Sequence, residues 1–265
     1  MKGEVPTDIR RKTGMSQTIL VTGATAGFGR EIARKLVADG HRVIGTGRRA
    51  GRLEDLAAEL GSAFLPFTLD MTDRAALRAL PDSLPEGWRA VDVLVNNAGL
   101  ALGTEPAQVA DIENWERMIA TNVSGLVEIT HALLPGMVAR DRGYVISIGS
   151  TAGIYPYNGG NVYGGTKAFV DQFMRNLRTD VLGKRVRVTN VAPGLCGGTE
   201  FSNVRLKDDA KAASVYENTR PLTAEDIADT VSWLVALPPH VNVNIIEMMP
   251  VCQAAGGLSV DRTMG

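Results

Sequence analysis

Cysteine is nearly absent from this chain: Cys196 and Cys252 are the only two in 265 residues. They are too few and too isolated for a disulfide framework or a thiolate zinc site, and a reducing, cytoplasmic location is the simplest expectation. Histidine is equally scarce. His41, His131 and His240 are scattered without ligand spacing, which argues against a metal-dependent reaction. Charge of one sign is also missing. A net charge of -1 gives no field to attract nucleic acid or an anionic membrane. No apolar run approaches the roughly 20 residues of a membrane span. Met1–Gln17 is polar and lacks the apolar stretch of a secretory signal, so it is expected to be a disordered extension, with Met15 as an alternative start. No internal repeat and no linker rich in Pro, Gly or Ser divides the rest.

What is present is an ordinary globular composition, 45% hydrophobic and 22% charged, in a length that suits one large domain over residues 18–265. Short apolar runs recur at Thr18–Thr22, Arg42–Thr46, Ala63–Thr68, Val91–Asn96, Tyr144–Ile148, Val186–Val191 and Asn244–Met249. Most are too uniformly apolar for half-exposed strands and fit a parallel sheet buried on both faces. Helical patterns alternate with them at Gly29–Asp39, Ala50–Leu60, Asp111–Ala139, Asn161–Leu182 and Thr223–Leu237. The alternation predicts an α/β chain: a doubly wound Rossmann fold with a seven-stranded parallel sheet and helices on both faces. Gly194–Leu222 breaks the rhythm and is expected to be an irregular loop covering a ligand at the carboxyl end of the sixth strand.

The first strand turns into the first helix through Thr22, Gly23, Ala24, Thr25, Ala26, Gly27, Phe28 and Gly29. Glycines there permit a tight turn and close backbone approach to a pyrophosphate, which the helix N-terminus then attracts. A bare glycine-rich turn is the bland alternative. The second strand ends at Arg48 and Arg49, where an acidic residue would favour a free ribose diol. Guanidiniums instead suit the 2′-phosphate of NADP, although two solvated arginines opening a helix would read the same way. Asp70 either accepts from an adenine amino group or caps a helix starting near Asp73. After the fourth strand, Asn96 and Asn97 can tie strand ends together, while Ala98 and Gly99 leave room for a ribose.

Tyr163 and Lys167 stand at i and i+4, on one face of a helix. A lysine ammonium and a positively charged nicotinamide are expected to pull the tyrosine down from its reference pKa of about 10. Ser150, after the fifth strand, is placed to hold a substrate oxygen. A lone Tyr/Lys pair is usually a solvated helix face; its company with Ser150 and the glycine turn carries the argument.

These motifs together resemble the short-chain dehydrogenase/reductase family: Thr22–Gly29, Asn96–Gly99, Thr121-Asn122-Val123, Ser150, Tyr163-x-x-x-Lys167 and Pro193-Gly194, spread over nearly the whole chain. The resemblance implies NADP contacts from Met71 and from the run Pro193, Gly194, Leu195, Cys196, Gly197, Gly198, Thr199, Glu200 and Phe201. It implies that Asn122 holds a water on a proton relay; a polar residue satisfying mid-helix is its bland alternative. Leu100–Gly103, Gly159–Gly164, Gly198–Arg205 and Glu247–Val251 are similar to one subgroup, the NADP-dependent 3-hydroxy acid dehydrogenases. That subgroup implies a small hydroxy or oxo acid substrate and a homotetramer built on the two long helices. Cys196 departs from the pattern, in which some members have an aliphatic residue. Arg205 is the first cation of the covering loop and a candidate for the substrate carboxylate. It could equally be solvated or pair with Glu200. A broad NADPH carbonyl reductase differs from this reading only in its pocket. A non-catalytic NADP sensor would not need Ser150, Tyr163 and Lys167 together.

Overall fold

The computed structural model describes residues 16–255; the extension expected over Met1–Gln17 lies, up to residue 15, outside them. Seven strands run in chain order: β1 Thr18–Val21, β2 Arg42–Gly47, β3 Phe64–Thr68, β4 Val93–Asn96, β5 Gly143–Ile148, β6 Val186–Pro193 and β7 Ile245–Met248. All pairings are parallel, in the order β3-β2-β1-β4-β5-β6-β7. The helices are α1 Gly27–Ala38, α2 Ala50–Leu60, α3 Arg74–Ser83, α4 Ile112–Ile119, α5 Leu126–Ala139, α6 Asn161–Asp180, α7 Phe201–Leu206, α8 Asp209–Ser214 and α9 Ala224–Ala236. This is the doubly wound α/β architecture that alternating patterns predict.

Side chains alternate across each strand, so β1 sends Ile19 and Val21 to one face and Leu20 to the other. The first face packs on Ile32 and Leu36 of α1, Leu53 and Leu56 of α2, and Ile227, Val231 and Leu234 of α9. The second packs on Leu77 and Leu80 of α3, Ile129 and Leu133 of α5, and Val170 and Met174 of α6. Each such aliphatic side chain contributes about 1.5–3 kcal/mol by burial. Strand order reverses between β1 and β4, and the carboxyl ends there open the crevice in which ligands of such sheets bind.

Two elements differ from their sequence-based expectation. The helix expected over Asp111–Ala139 is interrupted at Ala120–Gly125 by a wider π turn. The Gly194–Leu222 stretch is not simply irregular: it carries α7 and α8, each six residues long. Helices this short present too few turns for a hydrophobic stripe to register.

Candidate active site

β1 ends at Val21 and α1 begins at Gly27, so Thr22–Ala26 form the turn. Gly23 and Gly27 sit at φ +72° and +51°, the left-handed region that glycine enters without steric cost. A Cβ on Gly29 would overlap the Gly23 carbonyl and the Asn97 amide, so α1 can pack onto the turn only with glycine there. Thr22 Oγ1 accepts from the Asn97 and Ala98 amides at 3.0 and 2.9 Å, and Asn97 Nδ2 donates to the Thr22 carbonyl at 2.8 Å. These bonds lock the ends of β1 and β4 at the reversal point. The first turn of α1 has no side-chain cap and no acidic residue, which suits its N–H donors and positive dipole end to a phosphate. Ala24, expected at the cofactor, is fully buried in the core, and its N–H donates to the Thr46 carbonyl at 2.8 Å. The turn points it away from the cleft.

Arg48 and Arg49 both line that cleft. Arg49 is not a free surface cation: Nε and Nη2 donate to Thr25 Oγ1 at 3.2 and 2.9 Å, and Nη1 donates to Glu200 at 2.8 Å. Arg52, which no sequence motif marks, donates to the other Glu200 oxygen at 2.7 Å. The two guanidiniums hold the Glu200 carboxyl below its ordinary range. Asp70 lines the cleft beside Met71; its Oδ1 accepts from the Thr72 N–H and hydroxyl, each at 2.9 Å. The helix cap expected as its alternative role falls to Asp73, which accepts from the Ala76 N–H.

On α6, Tyr163 and Lys167 share a buried face and line the same cleft as Ser150, which follows β5. The lowered tyrosine expected from the sequence is not what the protein's own groups produce. Burial pushes the Tyr163 phenol above its ordinary value, with the Ser150 hydroxyl and Arg205 acting in the opposite direction. Burial also acts on Lys167, pulling its own value down to about 8. Its ammonium donates to the Ile148 carbonyl at 2.7 Å and stands 5.9 Å from the centre of the Tyr163 ring. Asn122 lies in the π turn and is 1% exposed. Its Oδ1 accepts from Leu100 N–H at 2.9 Å, and Nδ2 donates to the Leu100 carbonyl and Thr166 Oγ1 at 2.8 and 3.1 Å. A Cβ on Gly99 would meet Asn122 Oδ1 at 3.3 Å and Lys167 Nζ at 3.5 Å, so these two polar groups border one small space.

The covering segment crosses this cleft. Thr199 packs on Gly27, Glu200 on the arginines, and the Phe201 ring on Tyr163 at 5.8 Å between centres. Pro193, Gly194, Leu195 and Cys196 line the cleft; the Cys196 thiol is pushed up to about 12, first by burial and then by Asp226, which favours its neutral form. Gly197 N–H bonds the Leu222 carbonyl at 2.8 Å, and Gly198 lines an adjoining groove that shares Gly27, Arg49, Thr199 and Glu200 with the cleft and extends to Arg52. Arg205 points inward: Nε donates to Gly103 O at 3.2 Å and Nη2 to Gly159 O at 3.3 Å, while Cζ lies 5.2 and 5.8 Å from the Tyr157 and Tyr163 ring centres. It makes no ion pair among the described residues; Glu200, its alternative partner, is taken by Arg49 and Arg52.

The cleft measures about 850 Å³ and runs from Arg48 to Arg205. A glycine-lined turn, an uncapped helix start, cations at one end and a Ser/Tyr/Lys set at the other fit a dinucleotide with a small substrate beside it. Tyr157 and Gln253 also line it, and no sequence motif marks them. Gln253 ties the C-terminal segment to the site by accepting from the Leu195 N–H at 2.6 Å. Among the described residues no cluster could hold a metal ion, and no helix is long and apolar enough to cross a membrane.

A glycine turn at the β1/β4 reversal and a Tyr-x-x-x-Lys helix behind a serine define a nucleotide-dependent oxidoreductase fold, and the chain belongs to the short chain dehydrogenase family, whose model matches residues 17–210. It is 61% identical to the NADP-dependent 3-hydroxy acid dehydrogenase YdfG of Salmonella typhi over 246 residues, 92% of this chain and 99% of that one. It is 51% identical to the serine 3-dehydrogenase of Rhizobium radiobacter, over 94% of this chain and 99% of that one. A solved closed form of serine dehydrogenase complexed with NADP+ superposes with a TM-score of 0.91 at 58% identity, covering 93% of this chain and all of that one (100%).

Proposed function

We propose that this chain is an NADP-dependent oxidoreductase that moves hydride between the nicotinamide and a small 3-hydroxy acid, such as 3-hydroxypropionate, 3-hydroxybutyrate or serine, or its 3-oxo counterpart. One observation carries the reading: Ser150, Tyr163 and an inward-facing Arg205 without an acidic partner among the described residues line one cleft with Arg48 and Arg49. The similar proteins named above share this chemistry by name. Residues 18–265 are taken as one dinucleotide-binding and catalytic domain.

The glycine turn, the start of α1, and Arg48 with Arg49 would hold the cofactor. Bound NADP supplies the hydride acceptor or donor and, when oxidised, a positive charge that favours a phenolate. In oxidation, the Ser150 hydroxyl holds the substrate oxygen and Tyr163 Oη removes its proton. Because burial raises Tyr163, positive charge beside it is what makes the phenolate accessible, and Arg205, 5.8 Å from the ring centre, contributes to it. Lys167, anchored on the Ile148 carbonyl, would also orient the ribose. Asn122 and Lys167 border the space by Gly99, and a water there would pass the proton outward. Arg205 binds the carboxylate, fixing the reacting carbon near Tyr163.

Exposed apolar side chains on the two helical walls, Ile112, Ile119 and Phe169, support a homotetramer built on them. Two unpaired thiols suit a reducing, cytoplasmic setting. The test of the substrate class is Arg205→Met. It is expected to lower kcat/KM for 3-hydroxy acids by roughly ten- to a hundredfold, the scale of a lost charge-assisted contact, while sparing a neutral secondary alcohol. A parallel loss on both would show that Arg205 only orders the loop.

A further inference from the structure

The residues that face the adenosine end and those that face the substrate end are joined by one short segment. Thr199 rests against Gly27 of the glycine turn. Glu200 receives Arg49 on one oxygen at 2.8 Å and Arg52 on the other at 2.7 Å. The Phe201 ring packs tilted against Tyr163, with centres 5.8 Å apart. One turn further, the Arg205 carbonyl accepts from the Gly103 N–H at 3.1 Å while its guanidinium bonds the Gly103 and Gly159 carbonyls. Glu200 is the residue immediately before α7, and α7 carries Arg205 near its end. The segment is therefore pinned at both ends. The pin at the cofactor end is ionic; the pin at the substrate end is made of neutral acceptors.

The ionic pin carries a charge conflict. Arg48, Arg49 and Arg52 bring three positive charges to this region and Glu200 one negative charge. The remainder, near +2, matches the charge of about −1.5 to −2 on a phosphate monoester. Yet a carboxylate already bonded to Arg49 repels any dianion that approaches the same guanidinium. Glu200 thus serves the strap at the expense of the phosphate.

We propose that Glu200 is a positioning residue that trades affinity for the 2′-phosphate of NADP against order in the segment carrying Arg205, and that Arg52 is the cation that makes the trade tolerable. The inference rests on the NADP and 3-hydroxy acid reading above. In Glu200→Gln the side chain keeps its shape and one acceptor but loses its charge. Two opposite effects follow. The phosphate meets a site one unit more positive and binds more tightly. The strap is held by a neutral hydrogen bond instead of two ion pairs, so Arg205 is less well placed and substrate binds more weakly. Arg52→Gln acts differently. It leaves the Glu200 charge balanced by Arg49 alone, and phosphate binding weakens.

The experiment is calorimetric titration of 2′,5′-ADP and of 5′-AMP, together with KM for 3-hydroxypropionate at saturating NADP. These groups are about half exposed, which limits each effect to roughly three- to tenfold. For Glu200→Gln the expected result is tighter 2′,5′-ADP, unchanged 5′-AMP, and a raised KM with a smaller change in kcat. For Arg52→Gln it is weaker 2′,5′-ADP with unchanged 5′-AMP. Raising the salt from 0.05 to 0.5 M should shrink the cofactor difference between Glu200→Gln and the parent. The proposal is overturned if Glu200→Gln weakens both nucleotides together, as a merely structural residue would, or if it leaves KM unmoved. Failure of the parent protein to prefer 2′,5′-ADP over 5′-AMP would instead overturn the NADP reading itself, so the two failures are distinguishable.

Discussion

Lys167→Met is expected to make the protein more stable while disabling it. Lys167 is 7% exposed, and burial pulls its ammonium from 10.5 down to about 8. Holding it charged at pH 7 therefore costs roughly 3 kcal/mol, at about 1.36 kcal/mol per unit. Methionine removes that cost with a side chain of similar length. It also removes the bond to the Ile148 carbonyl, a loss of about 1–2 kcal/mol. The balance is a gain of about 1–2 kcal/mol at pH 7, or roughly 2–8 °C in Tm. The gain depends on pH with a definite sign. Between about 8 and 10.5 the unfolded chain holds a proton on Lys167 that the folded one has released, so rising pH stabilises the parent protein. The advantage of Lys167→Met is present below about 8 and gone near 10.5. Urea titrations of both proteins at pH 7 and pH 10, without added nucleotide, measure it. A variant less stable than the parent at pH 7, or a difference that does not change with pH, would refute the reasoning.

Tyr163→Phe should leave nucleotide binding nearly intact and reduce turnover below about a tenth of the parent, because the ring packing on Phe201 survives and the proton-carrying oxygen does not; titration of NADP beside the steady-state rate checks both halves. Neutral replacements at Arg48 and Arg49 together should weaken NADP roughly ten- to a hundredfold or more while sparing NAD, read as the two dissociation constants. Gly29→Ala should abolish tight nucleotide binding and cost about 1–3 kcal/mol of stability, since its Cβ meets the Gly23 backbone, which cannot swing aside; thermal unfolding with and without NADP separates the two losses.

Much of this was legible because the inner strands are buried on both faces. Apolar runs locate these and also the partly buried edge strands β3 and β7, and the Ala50–Leu60 pattern gives α2 to the residue. The glycine turn and the Tyr163/Lys167 spacing are local, and local geometry is what sequence encodes most directly. The π turn at Ala120–Gly125 was hidden because one extra residue in a turn barely disturbs a 3.6-residue stripe. Ala24, Gly197 and Gly198 lie off the main cleft lining, since a run of neighbours cannot all face one cleft. The direction of the Tyr163 shift depends on how deeply its ring is buried and on where the Lys167 ammonium points, both set by tertiary packing. Arg52 escaped notice because its partner, Glu200, lies 148 residues away.

The central claim is tested most directly by kcat/KM of the unaltered protein for 3-hydroxypropionate, 3-hydroxybutyrate, serine and a neutral secondary alcohol, each with NADP and with NAD. At least one 3-hydroxy acid is expected to exceed the neutral alcohol by about tenfold or more with NADP, the worth of one charge-assisted contact. The rate is also expected to fall steeply when NAD replaces NADP. A neutral alcohol turned over as efficiently as every acid would contradict it, and would leave Arg205 without a substrate to bind.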